Sequence, residues 1–548
     1  MKVSRSLHRF ALVVAALAFF VNTAEAQRGG GRGGAQGTTG TADSSARGGG
    51  AGNAAGAAAT TAARTPPRDI VALAETAPVS THHTVNVRGQ TIAYTAYAGM
   101  LPMRNEQTDV VEGGMYYVAY LKDGADASKR PITFTFNGGP GSASVWLHLG
   151  AFGPKHVKLL SDGMAPPPPY TFEDNPYTLL DQTDLVFLDP IGTGYSRATT
   201  QEMGAKFWGL DEDIRAVGEF IRLYLTRFDR MGSPKFLAGE SYGTTRASGL
   251  SGWLADQGIA LNGVVLISSV LDFQTLSQAR SNDIGFVTMI PTYTATAWYH
   301  KKLPSDLQKL TVEQATAQAE KWALNEYANA LLKGSRLTAT EHKATAEQLA
   351  RYTGLDHDAI EQNDLRVALG TFDAELVKEK REVVGRLDGR FTAFAPLGAG
   401  RGGAGVGDPS EASIRNTFTP VLTDYNRREL NYKNEDIYYI LGGGIGPWKY
   451  PQNQYATVTP NLERAFAKNA YMRLFVAEGY YDAATPYFAV EHTLSHLSID
   501  PKIAKNNITT ARYPAGHMMY IDEGSMKKLR ADLTRFFDSA ISQQPITP

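Results

Sequence analysis

Short uninterrupted apolar runs alternate in this chain with longer stretches whose apolar residues recur every three or four positions. The runs at 132–136, 185–188, 236–238, 264–268 and 474–477 have the length and composition of buried strands, and 508–513 reads as a further short strand. Between several of them lie amphipathic helical patterns, such as 212–227, where Ile214, Val217, Phe220, Ile221 and Leu225 share one face. Strand and helix in alternation imply a largely parallel sheet with helices on both sides. Ahead of it, alternating patterns at 85–97 and 115–122 read as antiparallel strands separated by glycine-containing turns. From about 281 to 458 the rhythm stops. Long helical patterns at 311–333, 339–352 and 365–385 replace it, which reads as a mainly helical insertion dividing the α/β core into 67–280 and 459–548.

The chain has 548 residues, 54 Lys and Arg against 55 Asp and Glu, and a hydrophobic fraction of 43%, enough for a large core and with no charge excess that would favour nucleic acid. The N-terminus departs from this. Lys2, Arg5 and Arg9 precede an apolar stretch at 10–21 and an Ala24-Glu25-Ala26 cleavage pattern, so 1–26 reads as a signal peptide, too short in its apolar part to span a bilayer. Residues 27–66 are mostly Gly, Ala, Thr, Ser and Arg and read as a disordered linker. Cysteine is absent. In an exported chain of this size that favours a bacterial periplasmic or extracellular protein over a disulfide-bonded eukaryotic one, and it excludes thiol nucleophiles and thiolate metal sites.

The densest chemistry is Gly239-Glu240-Ser241-Tyr242-Gly243, directly after the run at 236–238. A G-x-S-x-G at a strand-to-helix turn is a nucleophile elbow, in which the glycines permit the sharp backbone that presents the serine. A serine needs a base and the base an orienting acid. Asp482 follows the run at 474–477, and His517 follows the one at 508–513. Ser241, Asp482 and His517 then stand in the α/β-hydrolase order. Asp482 is also good capping chemistry for a helix starting at Ala483, and His517 could be a loop histidine. His82, His83, His148, His156, His300, His342 and His357 lie before the sheet, before the serine or in the insertion. His492 and His496 have metal-capable i, i+4 spacing but no accompanying glutamate, and Asp356-His357-Asp358 is explained by helix capping; no metal or other cofactor is called for. The glycine loop at 398–407 lacks the ending of a phosphate cradle and reads as a flexible loop.

Four segments together resemble the serine carboxypeptidases, peptidase family S10: Asn137-Gly138-Gly139-Pro140-Gly141-Ser142, the Ser241 pentapeptide, Gly479-Tyr480-Tyr481-Asp482 with Thr485-Pro486, and Gly516-His517-Met518. The resemblance implies an α/β-hydrolase fold with a helical cap insertion. It implies Ser241 as nucleophile, His517 as general base and then acid, and Asp482 as its partner. It implies the backbone N–H groups of Gly139 and Tyr242 as oxyanion donors, and Asn137 with a protonated Glu240 holding the substrate's terminal carboxylate. A carboxyl facing a carboxylate should have a raised pKa, which favours acidic pH for peptide hydrolysis; a helix-start carboxylate is the other reading of Glu240. The sequence departs from the family where Thr135 replaces a usual tryptophan and where 147–154 offers no glutamate. The expectation is therefore an exported carboxypeptidase acting on peptide or protein C-termini. An esterase or acyltransferase on the same triad, or a non-catalytic binding protein, are the alternatives.

Overall fold

The structure, a computed structural model, describes residues 69–395 and 407–542. The signal peptide, the linker and all but the last residue of the 398–407 loop lie outside the described residues. Among the described residues a ten-stranded sheet organises the chain. Its strands are β1 Val79–Val87, β2 Gln90–Arg104, β3 Val111–Lys122, β4 Ile132–Phe136, β5 Asp184–Leu188, β6 Lys235–Ser241, β7 Gly263–Ser269, β8 Arg473–Gly479 and β9 Ile508–Tyr513, with the two-residue strand Arg197–Ala198 paired to β3. The order is β1-β2-β3-β5-β4-β6-β7-β8-β9. β1 to β3 form an antiparallel meander, β3 pairs antiparallel with β5, and from β5 to β9 every pairing is parallel. The sequence reading of an α/β-hydrolase sheet is confirmed.

Every residue of β4, β5 and β7 is buried, because helices cover both faces. The two-residue period of a strand divides these side chains. Phe236, Ala238, Val265, Ile267, Phe475 and Ala477 face a core shared with Leu529, Leu533, Phe536 and Phe537 of the helix Glu523–Ser542. Leu237, Val264, Leu266, Leu474 and Val476 face the opposite core. There they meet Ile214, Val217, Phe220, Ile221 and Leu225 of the helix Leu210–Arg227, the face the sequence pattern predicts.

The structure corrects the local reading in three places. The pattern at 85–97 is not one strand: Arg88 and Gly89 have φ of 52° and 79°, and this two-residue turn folds β1 back on β2. His82 and His83, read as preceding the sheet, lie within β1 at its edge. The stretch 365–385 is α-helical only over Leu369–Glu375, with a short 3₁₀ turn at Lys378–Lys380, because Val383 and Val384 enter a small hairpin, Glu382–Val384 against Thr392–Phe394.

The stretch 281–458 divides in two. Its first part packs around its own apolar cluster, including Phe286, Tyr293, Trp322, Leu349 and Phe372. The helix Pro409–Arg428 instead contributes Ile414, Phe418, Val421, Leu422 and Tyr425 to the sheet's core. The rings of His492 and His496 lie 4.2 Å apart at a tilt of 38°, and among the described residues no group of three or more His, Cys, Asp or Glu could hold a metal ion. Asp356 occupies the N-cap position of the helix His357–Gln362 but, contrary to the capping reading, its side chain makes no capping bond and pairs with Lys378 at 2.7 Å.

Beneath the carboxyl edge of β4 and β6 lies a buried ion pair. Arg246, 1% exposed, donates through Nε to Asp213 at 2.7 Å and through Nη1 to the Asn137 carbonyl at 2.6 Å. Removing one member leaves the other's charge buried and unpaired. Asp213→Ala should therefore lower unfolding free energy by about 3 to 5 kcal/mol in a denaturant titration; a change within error would refute this role for the pair.

Candidate active site

Parallel strands end at one edge of a sheet, and this edge gathers the residues singled out in the sequence. Ser241 ends β6 and directly precedes the helix Tyr242–Asp256. Its φ of 59° and ψ of −132° place it outside the regions that L-residues favour, the strained turn expected of a nucleophile elbow. The flanking glycine has no alternative: a Cβ on Gly239 would sit 2.1 Å from the Gly243 carbonyl oxygen.

β7 lies beside β6, with Ser269 paired to Ser241. Its preceding residue, Ser268, donates through Oγ to the His517 carbonyl at 2.5 Å, which ties the loop after β9 to the end of β7, the strand next to Ser241. His517 is 4% exposed, and its Nδ1 lies 2.8 Å from Asp482 Oδ2. The carboxylate acceptor fixes Nδ1 as the protonated nitrogen and leaves Nε2 as the basic one. No hydrogen bond among the described residues falls on Nε2.

Asp482 is fully buried in the loop after β8. Its Oδ1 accepts from the N–H groups of Ala484 and Thr485 at 2.8 and 2.9 Å, and its Oδ2 accepts from Thr485 Oγ1 at 2.6 Å. The helix that follows is Tyr487–Ser495, so Asp482 organises a turn rather than capping a helix at Ala483. Burial alone would lower the pKa of His517. The charge and hydrogen bond of the adjoining Asp482, with a smaller contribution from Glu240, outweigh it, and the net shift is upward.

The glycine segment after β4 meets the start of the Tyr242 helix. A Cβ on Gly138 would stand 2.3 Å from the Tyr242 nitrogen, so only glycine lets these backbones touch. The amides of Gly139 and Tyr242, the two proposed oxyanion donors, enter no hydrogen bond among the described residues.

Glu240 and Asn137 lie together and are both buried. Asn137 Nδ2 donates to Glu240 Oε2 at 2.5 Å, and Asn137 Oδ1 accepts from the Leu147 N–H at 3.0 Å. The other carboxylate oxygen, Oε1, accepts from Tyr520 Oη at 3.0 Å. Burial raises the Glu240 pKa against the opposing pull of His517 and of these two donors. Tyr520 and Ser268 were not legible as site residues. Tyr520 follows His517 by three positions in a short 3₁₀ turn, but nothing in its spacing marks it as a partner for Glu240.

The family model described as serine carboxypeptidase, peptidase family S10, matches residues 88–393, more than half of the chain. The chain belongs to the serine carboxypeptidase family. Among curated relatives it is similar to "Serine carboxypeptidase-like 36" of Arabidopsis thaliana, 31% identical over 132 residues, which is 23% of this chain and 24% of that one. It is also similar to a "Probable serine carboxypeptidase" of Arthroderma benhamiae, 27% identical over 163 residues and 27% of each chain. The chain thus spans about a quarter of the length of the curated relatives it matches. Among solved structures, a proline iminopeptidase from Mycobacterium smegmatis aligns over 84% of this chain and 99% of its own, at 13% identity and a TM-score of 0.30. A putative lipase from Sulfolobus solfataricus aligns over the same shares at 11% identity and a TM-score of 0.32.

The strained elbow carries its own test. Ser241→Gly and Ser241→Ala both remove the hydroxyl, but only glycine accepts the backbone without strain. The glycine variant should be the more stable by about 1 kcal/mol, the strain relieved less the entropy glycine costs. Chemical denaturation of the pair checks this, and an alanine variant of equal or greater stability would contradict it.

Proposed function

We propose that the protein is a serine-type carboxypeptidase that releases C-terminal residues through an acyl-enzyme. The observation that carries this reading is the 2.8 Å contact of His517 Nδ1 with buried Asp482, at the same sheet edge as the strained Ser241. A serine hydroxyl is a poor nucleophile until its proton is taken as the new bond forms. Ser241 Oγ attacks the scissile carbonyl while His517 Nε2 accepts its proton, and Asp482 stabilises the imidazolium. The carbonyl oxygen, now an anion, is received by the N–H groups of Gly139 and Tyr242, each worth about 3 to 4 kcal/mol in the transition state. The imidazolium then protonates the leaving amine. Water, deprotonated by the same imidazole, cleaves the acyl-serine and restores the serine proton.

The carboxylate-binding role belongs to Asn137 and Glu240. Asn137 has a second Nδ2 proton beyond the one given to Glu240, and a Glu240 kept neutral by burial does not repel an incoming carboxylate. The two titrations pull in opposite directions. Neutral His517 is lost as pH falls through its raised pKa, which weakens acylation; neutral Glu240 is lost as pH rises through its own, which weakens binding of a free carboxylate. Acidic conditions thus favour binding rather than the acylation step. Residues 1–26 support export, with peptide or protein C-termini as the substrates met outside the cytoplasm.

An esterase or acyltransferase on the same three residues is the second reading. Thr135, the lack of a glutamate in 147–154, and the occupation of both Glu240 oxygens by Asn137 and Tyr520 favour it.

One assay separates the two. Residue release from a free-acid peptide, and from its C-terminal amide, is followed across pH in the wild-type, Ser241→Ala and Glu240→Gln proteins. The carboxypeptidase reading predicts no release by Ser241→Ala. It predicts a KM for the free acid that climbs with pH in wild type and is flat in Glu240→Gln. Equal handling of acid and amide at every pH would favour the second reading, and undiminished release by Ser241→Ala would defeat both.

A further inference from the structure

A five-residue piece of the insertion, 386–390, runs between the loops that carry Asp482 and His517 and bonds to both. The Arg386 carbonyl accepts from the Ala483 N–H at 3.1 Å, and the Gly389 N–H donates to the Tyr481 carbonyl at 2.9 Å, so Asp482 is bracketed on either side. Across from it, the Leu387 carbonyl accepts from the N–H of His517 itself at 2.6 Å. The Asp388 carboxylate accepts from the Gly516 N–H at 3.0 Å. Contact here is tight: a Cβ on Gly516 would stand 2.5 Å from both Asp388 and the Leu387 carbonyl oxygen.

The segment is braced from behind. Asp408 accepts from the N–H groups of Arg386 and Leu387 at 3.2 and 3.0 Å, and Ser410 Oγ accepts from that of Asp388 at 3.2 Å. Asp388 is 5% exposed, and Arg390 balances its charge through Nε at 3.0 Å and Nη2 at 2.8 Å. The same guanidinium donates through Nη1 to the Pro514 carbonyl at 3.0 Å and to Asp522 at 3.2 Å, tying the clasp to the stem of the histidine loop. A buried carboxylate is retained at such a place when it is both paired and fully hydrogen-bonded.

We propose that segment 386–390 is a positioning clasp for the His517–Asp482 pair, with Asp388 its principal positioning residue, acting through the backbone of Gly516 and His517. His517 sits on a loop, where a side chain held only at its tip would wander from the geometry that proton transfer needs. The clasp fixes its backbone nitrogen and, through residues 481 and 483, sets the partner carboxylate from the same rigid piece. The insertion thereby becomes part of the reaction centre and not merely a cover over it. This inference rests on the Ser241–His517–Asp482 reading and adds the element that holds two of its members in register.

The test is hydrolysis of p-nitrophenyl acetate by the full chain, with a fluorophosphonate counting reactive serines, in wild type, Asp388→Ala and Asp388→Asn. Asp388→Ala should lower kcat per titrated site by about tenfold to a hundredfold with KM little changed, the cost of a displaced catalytic group. Its acidic limb of kcat/KM should move to lower pH, because His517 loosened from Asp482 loses the carboxylate that contributes most to raising it; of the other charges facing it, Glu240 raises its pKa to a smaller extent and Arg386, in the clasp itself, lowers it. Asp388→Asn, which keeps one acceptor for the Gly516 N–H, should show the same changes in smaller measure and serves if the alanine variant does not fold. Wild-type kcat per site and an unmoved limb, whatever the thermal midpoint, would overturn the proposal. A wild-type protein that neither hydrolyses the ester nor reacts with the fluorophosphonate would overturn the triad reading beneath it.

Discussion

Asp482 is a carboxylate with no solvent to stabilise it, and the site is arranged around that constraint. Burying an unpaired carboxylate costs several kcal/mol, so the surrounding groups must supply what water does not. Two backbone N–H groups, the Thr485 hydroxyl and His517 Nδ1 do so. Satisfying the anion bends the loop after β8 into a turn, selects the imidazole tautomer and aims Nε2 away from the carboxylate. The upward pKa shift of His517 is the same interaction seen from the other partner. Glu240, beside Ser241 at the same sheet edge, is buried without an ion-pair partner among the described residues, and burial raises its pKa against the opposing pull of His517, Asn137 and Tyr520.

Much of this was legible in the sequence because parallel strands impose strong local rules. A strand buried on both faces must be an apolar run, and the residues that follow such runs collect at one edge; hence Ser241 and Asp482 could be assigned to a common edge, while His517, after the partly exposed edge strand β9, was legible from chain order and motif. Gly239 and Gly138 were legible for the same reason, since their spacing reflects backbone contacts that admit no Cβ. The hairpin turn at Arg88–Gly89 is not legible because alternation continues across it and only backbone φ distinguishes a turn from a strand there. Tyr520, Ser268, Asp388 and Arg390 were not legible, because each acts through contacts between segments far apart in sequence. The helical reading of 365–385 hid the 386–390 segment, whose importance comes from the loops it touches and not from any pattern of its own.

Without cysteine, the insertion needed another fastening than disulfides. Helix packing supplies part of it, through the apolar cluster around Tyr293 and Trp322. A second part is polar: the Asp388–Arg390–Asp522 arrangement and the backbone bonds of 386–390. These bonds end on the residues that flank Asp482 and on His517, so the fastening and the site share one set of contacts.

The central claim is that Ser241 forms a covalent acyl intermediate at this edge. It is tested most directly by acid-quenching the protein within its first turnovers of p-nitrophenyl acetate and mapping the modified peptide by mass spectrometry. The account predicts an acetyl group on Ser241 in wild type, and its persistence in a His517→Ala protein acylated slowly, where deacylation lacks its base. Turnover with no acyl group on Ser241, or an acyl group on another residue, would contradict it.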